Sequence, residues 1–435
     1  MTLLKNKKVL ILGLGQYPKG SGVSAALYCA KKGAEVLVSD LKGPKELGTN
    51  VAALKKYAHV SFRLGEHRVH DIDWADIIFR NPRVRRSSPE MKRAHILGKH
   101  IESDISYFMS LCEAKIIGIT GTRGKSTTST LVYEMLRASG KKVWLGGNIL
   151  ISPLTFISKV KRQDVVVLEL SSWLLETTGE RGISPDIACI TNVMRDHLNS
   201  YENMDEYAEA KAQIFRHQNE KGILILNARD AFCKKWAKEA PGLVKFFTKK
   251  QMPGMRYRGE HMQANIAAAI ETAKAAGATN AGIKKALAQF TGLKDRQEVV
   301  AIKKGVTYIN DTTASTPDGV IAAIKTFEPS SKNIRLIFGG NDKELEYGVV
   351  TKYIKKYHVH VALLPGTAHE KIVKEFKKLH VVYTDVVDMK SAFILHKKNA
   401  EKGDVILLSP GATSFGQFAH EFERGEKFRE LVKKI

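Results

Sequence analysis

Gly118-Ile-Thr-Gly-Thr-Arg-Gly-Lys-Ser-Thr127 decides the fold, because it joins an apolar strand, Lys115–Ile119, to a helix expected from near Ser126. Glycines let backbone N–H groups approach phosphate oxygens, and the helix N-terminus adds positive potential. The lysine of such a loop can reach a transferred phosphate, and the hydroxyls after it can hold Mg²⁺. The spacing departs from the usual P-loop pattern, since Ile119 occupies a glycine position. The turn still predicts a nucleotide site, formed by Gly121, Thr122, Gly124, Lys125, Ser126 and Thr127.

Strand and helix patterns on both sides of this loop describe an α/β protein with parallel sheets. The first unit runs from strand Lys8–Leu14 through a glycine turn and helix Ser21–Lys32 to strand Glu35–Ser39, which is a βαβ unit. In the second unit, strands at Val165–Glu169 and Ile187–Asn192 follow the loop. A third set of strands starts afresh after residue 296. We therefore expect three domains, each built on a largely parallel sheet, at residues 1–108, 109–292 and 293–435.

The bulk composition fits a soluble globular protein. The 435 residues are 43% hydrophobic, and no apolar run reaches the roughly 18 to 20 residues that span a bilayer, so we expect no membrane insertion. The four cysteines lie far apart without a CxxC pair, which favours a reduced, cytoplasmic location. The net charge of +24 raises the question of a nucleic-acid or membrane partner. However, the lysines are scattered as pairs along amphipathic helices, a pattern typical of solvated faces, so nucleic acid is the less favoured partner.

Two side chains beyond the loop suggest metal chemistry near the phosphates, whereas a third, Lys211, does not on its own. Glu169 ends an apolar strand, at the edge where parallel sheets bind ligands, and its carboxylate suits Mg²⁺. The two serines that follow it are also consistent with a helix cap. His197 lies just beyond strand Ile187–Asn192 and is expected at the same crevice, although a lone histidine is more often a surface residue. Lys211 alone would be a solvated helix residue, since an ammonium cannot ligate a cation.

The loop is one of several short motifs that follow each other in order. TGTRGKST is similar to the nucleotide loop of Mur ligases, usually written TGxNGKST. The chain resembles that family over essentially its full length, and within the family it resembles the enzymes that add D-glutamate. The matching positions are Gly146-Gly147-Asn148, Glu169-Leu-Ser-Ser172, Asn192 through Asp196-His197, Lys211, His261 with Asn265, Arg296, Asp311 and Ser409-Pro410.

The resemblance implies a Mg²⁺- and ATP-dependent amide-bond ligase. Its substrates would be ATP, UDP-N-acetylmuramoyl-L-alanine and glutamate, joined through an acyl phosphate in peptidoglycan precursor synthesis, and we expect a monomer. The first domain would bind the UDP substrate, the central domain ATP and the last domain the amino acid. Lys211 would be carbamylated, which converts it to an anion able to orient a second Mg²⁺ with His197. Asn265, Arg296 and Asp311 would complete the ATP site.

The implied sites can be given residue by residue. Catalysis would rest on Lys125, Glu169, His197 and Lys211. The metal ligands would be Ser126, Glu169, His197 and Lys211. The UDP substrate would contact Gly15, Asp40, Arg83, Asn148, Ser171 and His197. The amino acid would contact Lys343, Ser409, Ser414 and Phe415.

The first domain offers less specific signals. Gly13-Leu-Gly15 is a lone GxG followed by a long turn, which is weak evidence for a dinucleotide site. A basic cluster follows strand Ile77–Phe79 and so lies at the ligand edge of its sheet. Guanidinium groups suit bidentate phosphate contacts, so one or two of the cluster are expected to touch the UDP diphosphate, although a solvated loop is an equally good interpretation. The cluster consists of Arg80, Arg83, Arg85 and Arg86.

Several positions depart from the D-glutamate-adding pattern. Thr313 stands where that pattern has a lysine expected to meet the carboxylate of the incoming amino acid. Arg123 replaces the asparagine of the nucleotide loop, and Met262 replaces the asparagine after His261. Three alternatives therefore stay open: an enzyme that adds L-glutamate, a relative with another acceptor, such as an alanine-adding or folylpolyglutamate synthase-like ligase, and a non-catalytic nucleotide-binding descendant.

Overall fold

The structure, a computed structural model, describes residues 4–149, 151–196, 200–248, 260–290, 292–342, 344–414, 417–418 and 420–435. The chain divides into two compact units, Met1–Gln289 and Phe290–Ile435. The first unit contains two sheets and the second contains one. The α/β class with three largely parallel sheets is therefore confirmed. The division into three domains at residues 108 and 292 stays a prediction.

The first sheet has five parallel strands in the order β3-β2-β1-β4-β5. Its central strand is buried and apolar along Val9–Leu12, which is the pattern of a strand covered by helices on both faces. The strands are β1 (Lys8–Leu12), β2 (Glu35–Asp40), β3 (Val60–Leu64), β4 (Ile77–Arg80) and β5 (His100–Glu102), and the helices are α1 (Ser21–Lys31), α2 (Pro44–Leu54), α3 (His70–Trp74), α4 (Pro89–Ile96) and α5 (Asp104–Leu111).

The second sheet has six parallel strands in the order β11-β10-β9-β6-β8-β7, which places the strand before the phosphate loop at its centre. Its strands are β6 (Lys115–Thr120), β7 (Val143–Gly147), β8 (Val165–Glu169), β9 (Ile187–Ile190), β10 (Ile223–Asn227) and β11 (Leu243–Phe247). Its helices are α6 (Lys125–Ala138), α7 (Ser172–Glu180), α8 (Met204–Arg216), α9 (Ala231–Trp236), α10 (Glu260–Ala275) and α11 (Asn280–Gln289).

The third sheet, in the second unit, has the order β12-β13-β17-β14-β15-β16 and is parallel except for its β12–β13 edge pair. Its strands are β12 (Glu298–Lys303), β13 (Val306–Asn310), β14 (Ile334–Gly339), β15 (His360–Leu364), β16 (Tyr383–Asp385) and β17 (Val405–Leu408). Its helices are α12 (Pro317–Phe327), α13 (Gly348–Lys356), α14 (His369–Lys378), α15 (Met389–Asn399) and α16 (Glu421–Lys433).

The two sheets of the first unit share one apolar core. Buried residues of the first sheet, such as Val9 and Ile11, belong to the same cluster as Val166 and Leu168 of the second sheet. A buried ion pair also joins them, since Arg80 at the end of β4 donates from Nη2 to Glu176 Oε2 of α7 at 2.8 Å. The ligand edges of both sheets are therefore held in one rigid body.

Three further observations bear on the composition. All four cysteines are unpaired, in keeping with the absence of a CxxC motif. Within the part of the chain that the structure describes, no helix combines the length and apolarity that a bilayer crossing requires. Some lysine pairs lie at the C-terminal ends of helices, as in α13 and α14, where cations complement the helix dipole.

Candidate active site at the edge of the second sheet

The phosphate loop is held in shape by its own backbone and by the segment after β9. Gly121 has φ +144°, and an added Cβ would lie 2.0 Å from Thr191 Oγ1. The N–H of Thr122 donates to Asn192 O at 2.9 Å, and the N–H of Arg123 donates to Asn192 Oδ1 at 2.9 Å. The loop conformation is therefore built in before any ligand binds, as an anion-binding turn requires.

Gly124 allows α10 to approach the loop closely. Its φ is +86°, and a Cβ there would lie 2.0 Å from Oδ1 of the buried Asn265. Thr128 Oγ1 also donates to Asn265 O at 3.4 Å. Asn265, which was expected to contact ATP, therefore lies directly against the loop that begins α6. Ser126 and Thr127, in the first turn of α6, are half-buried and buried respectively.

Two lysine side chains converge on the loop. Lys125 Nζ donates to Gly121 O at 2.9 Å and to Thr122 O at 3.1 Å, and Lys211 Nζ donates to the same Gly121 O at 3.2 Å. Lys211 is 1% exposed. Burial, reinforced by the Lys125 charge, lowers the Lys211 pKa well below its ordinary value. Lys211, which its sequence position alone suggested to be a solvated residue, is thus part of the candidate site.

Tyr207 is a site residue that the sequence interpretation missed. Its ring lies under Lys211 Nζ, 4.3 Å from the ring centroid, and its hydroxyl is 3.2 Å from Thr122 Oγ1. Tyr207 precedes Lys211 by four residues on α8, so both lie on one helix face. That spacing is the signal that would have identified it.

Glu169 combines full burial with an unused hydrogen-bonding atom. It is 1% exposed, and β8 pairs with β6 so that Glu169 lies opposite Ile119, one residue before the end of β6. Its Oε1 accepts from Asn148 Nδ2 at 3.0 Å, whereas its buried Oε2 has no partner among the described residues. A buried oxygen of this kind is unfavourable unless a ligand such as a cation satisfies it.

Arg123 is an exposed residue of the loop. Its Nη2 lies 3.8 Å from Asp196 Oδ2, and the two side chains are 53% and 28% exposed. Asp196 immediately precedes His197, which lies outside the described residues, as do Lys343 and Phe415. Within the described part of the chain there is no group of three or more His, Cys, Asp or Glu residues that could hold a metal ion.

The residues predicted to bind the UDP substrate fall into separate groups. Gly15 and Asp40 meet at the edge of the first sheet, where the Gly15 N–H donates to Asp40 Oδ2 at 3.0 Å. Arg83 is exposed in the same region. Asn148 instead belongs with Glu169 on the second sheet. Ser171 is the N-cap of α7 and accepts from the Leu174 N–H at 3.4 Å, which is the alternative that the sequence left open.

The basic cluster after β4 separates into different roles. Arg80 is 3% exposed, and its Nη2 also donates to Trp173 O at 2.8 Å, so it is unavailable to a diphosphate. Arg86 pairs with Glu180 at 2.7 Å. Arg83 and Arg85 are exposed and are therefore the members of the cluster still able to meet a substrate.

In the second unit, Asp311 and Ser409 form one buried pair at the ends of neighbouring strands. Ser409 Oγ donates to Asp311 Oδ2 at 2.9 Å, and the Gln297 N–H donates to Asp311 Oδ1 at 3.1 Å. Burial raises the Asp311 pKa to about 7. Arg296 is exposed beside them. Ser409, which was expected to contact the amino acid, therefore donates its hydroxyl hydrogen bond to Asp311.

Ser414 lines a cavity of about 150 Å³ in the second unit. The Ser414 side chain is 5% exposed and its Oγ has no partner among the described residues. Arg424, 1% exposed, lines the same cavity and bonds Thr312 Oγ1 at 3.0 Å and Thr312 O at 2.9 Å. The hydroxyl of Thr313, which replaces the expected lysine, donates to Asp295 O at 2.9 Å. An anionic group in the cavity would meet a hydroxyl donor and a buried cation.

Comparison with known proteins agrees with the resemblance seen in the sequence. Residues 119–265 match the Mur ligase middle domain, and residues 295–411 match the Mur ligase glutamate ligase domain. A UDP-N-acetylmuramoylalanine–D-glutamate ligase from Roseiflexus sp. (strain RS-1) is 36% identical, with 99% of each chain covered. The enzyme of that name from Clostridium tetani is 32% identical, covering 99% of this chain and 97% of the relative.

Solved structures show the same fold at lower identity. The UDP-N-acetylmuramate–alanine ligase of Thermotoga maritima superposes with a TM-score of 0.61 at 21% identity, covering 99% of this chain and 100% of that one. MurF from Acinetobacter baumannii superposes with a TM-score of 0.63 at 16% identity, covering 97% and 93%. With two domain models matched over most of its length and full-length relatives above 30% identity, this chain belongs to the Mur ligase family.

Proposed function

We propose that this protein is an ATP-dependent ligase that joins D-glutamate to UDP-N-acetylmuramoyl-L-alanine in the cytoplasmic synthesis of peptidoglycan precursors. The full-length relatives carry that activity in their names. The observation that carries the proposal is the convergence of Lys125, Lys211 and the unsatisfied Glu169 carboxylate at one edge of the second sheet. A protein that only holds nucleotide has little use for a buried, unpaired carboxylate oxygen beside its phosphate loop.

The reaction needs two substitutions and no covalent bond to the protein. A carboxylate oxygen of the UDP substrate attacks the γ-phosphorus of ATP, the bond to the bridging oxygen breaks, and ADP leaves. The amino group of glutamate then attacks the acyl carbon, inorganic phosphate leaves, and the nitrogen loses a proton. Lys125 would hold the phosphoryl group, a role supported by the hydrogen bonds that keep its ammonium at the loop carbonyls. Positioning and electrostatics supply most of the acceleration in such transfers.

The residues present fit a hard cation. Glu169 Oε2 is a buried anionic oxygen without a protein partner, and Ser126 supplies a hydroxyl at the start of α6. Ser126 and Glu169 would hold one Mg²⁺, and His197 with Lys211 a second. When bound, Mg²⁺ would neutralise charge on the phosphoryl oxygens.

Lys211 suits the carbamylation that the resemblance implied. Burial and the Lys125 charge lower the Lys211 pKa, which raises the fraction of neutral amine, and a neutral amine can add its lone pair to CO₂ and lose a proton. The product is an anion on a rigid helix beside the loop. If Lys211 acts as a carbamate, activity should fall when bicarbonate and CO₂ are removed and should recover when they are restored. Activity that is unchanged in CO₂-free buffer would refute this role.

The cavity at Ser414 is the best candidate for the carboxylate of the incoming amino acid. It offers the unpartnered Ser414 Oγ and the buried Arg424 guanidinium within the second unit. Lys343 and Phe415 were predicted for the same substrate. Because the Thr313 hydroxyl donates to Asp295 O, the threonine does not take over the carboxylate contact expected of a lysine at that position.

One assay tests the proposed function. Phosphate release from ATP is measured with UDP-N-acetylmuramoyl-L-alanine and, in turn, D-glutamate, L-glutamate, L-alanine or glycine. We expect release with D-glutamate at least about 100-fold faster than with the other three. Preference for L-glutamate would replace the acceptor assignment, and no release with any amino acid would favour a non-catalytic nucleotide-binding protein.

A further inference from the structure

Arg123 is a cation at the phosphate loop that the reaction described above does not use. It lies between Gly121 and Gly124, and both glycines have positive φ. The loops of the resembling ligases carry asparagine at this position, so this chain adds a positive charge there. Its guanidinium is close enough to Tyr207 and Asp196 to act on the Tyr207 hydroxyl electrostatically, as Lys125 acts on Lys211.

The backbone of Arg123 is fixed on both sides of its Cα. The N–H donates to Asn192 Oδ1 at 2.9 Å, and the carbonyl accepts from Thr191 Oγ1 at 2.6 Å and from Asn192 Nδ2 at 3.0 Å. These three hydrogen bonds anchor the residue on the loop, so the guanidinium moves only through its own side-chain torsions. In the structure these torsions bring its Nη2 to 3.8 Å from Asp196 Oδ2.

The contact that Arg123 makes in the structure is a weak one. Its Nη2 lies 3.8 Å from Asp196 Oδ2, and both side chains are partly exposed to water. An exposed ion pair at that distance contributes little stability. A phosphoryl oxygen offers a stronger, bidentate acceptor for a planar guanidinium. Exchange of Asp196 for a phosphoryl group is therefore favourable.

We propose that Arg123 is a catalytic residue that leaves Asp196 and donates hydrogen bonds to the phosphoryl group during its transfer from ATP to the substrate carboxylate. The proposal rests on the proposed ligase function. As the new oxygen–phosphorus bond forms and the bond to ADP breaks, negative charge is spread over the phosphoryl oxygens and the leaving oxygen. Arg123 stabilises that charge without exchanging a proton, because a guanidinium stays protonated.

The test compares Arg123→Asn, which restores the residue of the resembling loops, with Arg123→Lys and with Arg137→Asn as a control. Arg137 is on α6 and is 54% exposed, nearly the same as the 53% of Arg123, but it pairs with Glu134 instead. We expect Arg123→Asn to lower kcat about 30-fold with the KM for ATP changed less than about threefold. Arg123→Lys should lie between Arg123→Asn and the unaltered enzyme, and Arg137→Asn should match the unaltered enzyme.

A binding measurement separates contact with the transferring group from a structural role. Affinity is measured for ADP alone, and for ADP with aluminium fluoride and UDP-N-acetylmuramoyl-L-alanine, a mimic of the phosphoryl group in transit. Arg123→Asn should weaken the mimic about 30-fold and leave ADP binding unchanged. Equal weakening of both ligands, or a kcat within twofold of the unaltered enzyme, overturns the role of Arg123. Absence of activity in the unaltered protein instead overturns the ligase function.

Discussion

The edges of the second and third sheets both collect buried charged groups, but they satisfy them differently. At the third sheet, Arg429 Nη1 donates to Asp295 Oδ1 at 2.6 Å and to Glu298 Oε2 at 2.9 Å, and Asn310 Nδ2 bonds both carboxylates. At the second sheet, Glu169 keeps one oxygen without a partner. A buried cluster whose polar atoms are all hydrogen-bonded stabilises the fold, whereas a buried polar atom without a partner is free to bind a ligand. Mutations at the two edges should therefore act on different quantities.

Glu169→Gln should produce the largest effect, and it should appear in activity. Removing the anionic oxygen that suits Mg²⁺ should lower kcat about 1,000-fold. The free energy of unfolding should be unchanged or higher, because the variant no longer buries an unpaired charge. Steady-state kinetics and urea denaturation followed by tryptophan fluorescence measure the two quantities.

Glu180→Gln, which removes a partly exposed pair with Arg86, is the matched control and should change neither quantity. A loss of stability in Glu169→Gln comparable to its loss of activity would show that Glu169 is a structural residue, and the contrast between the two edges would fail.

Arg429→Met should have the opposite effect, which appears in stability. Without the guanidinium, the buried carboxylate of Asp295 and the half-buried carboxylate of Glu298 are left side by side, so the second unit should lose about 3 kcal/mol of stability. All four tryptophans precede residue 290, so the stability of the second unit is better followed by hydrogen exchange of β13 and β17. Lys427→Met, on the same helix with an exposed pair to Glu430, should change it by less than about 0.5 kcal/mol. A loss below about 1 kcal/mol for Arg429→Met would contradict the prediction.

Gly124→Ala tests, within the first unit, whether activity needs the close approach of α10 to the phosphate loop. The added methyl group would collide with Asn265, so we expect kcat/KM for ATP to fall about 100-fold as the loop moves. Gly140→Ala has a similar positive φ of +80°, and nothing lies within 4 Å of its Cβ, so it should share the backbone strain of about 1 kcal/mol and keep its activity. Equal kinetics for the two variants would mean that the close approach of α10 is not needed.

Asp311→Asn should give the smallest effect, visible as a change in pH dependence. Because the Asp311 pKa is raised to about 7, the stability that its protonated form contributes is lost as pH rises through about 7. The stability of the variant relative to the unaltered protein should therefore increase by about 1 to 2 kcal/mol between pH 6 and pH 8. Hydrogen exchange of β17 at the two pH values measures it, and a pH-independent difference would contradict the raised pKa.

The sequence was most informative where one local pattern determines the structure. Strand β8 is bounded at Val165 and Glu169 as expected, because a strand buried on both faces is a continuous apolar run. Strand β12 was not predicted; it is an edge strand with an irregular register, and its apolar Val299 and Ile302 are exposed. The phosphate loop was placed correctly because glycine positions and the strand before them leave few alternatives.

Contacts between distant parts of the chain were the part that the sequence did not reveal. Arg80 was assigned to a basic substrate-binding cluster, but its partner Glu176 lies 96 residues away and becomes a neighbour only when the two sheets share a core. The hydrogen bond between Ser409 and Asp311 across neighbouring strands was likewise not expected from the sequence. Burial and pairing of polar groups depend on tertiary structure, which residue spacing does not encode.

The register between β6 and β8 has a consequence for insertions. Because side chains alternate across a strand, one residue inserted between Val165 and Glu169 would turn the carboxylate into the opposite helix layer, while the hydropathy of the strand stayed the same. Surface loops of this chain can thus be lengthened with little effect on the site, whereas an insertion in these five residues would remove the carboxylate from the ligand edge of the sheet.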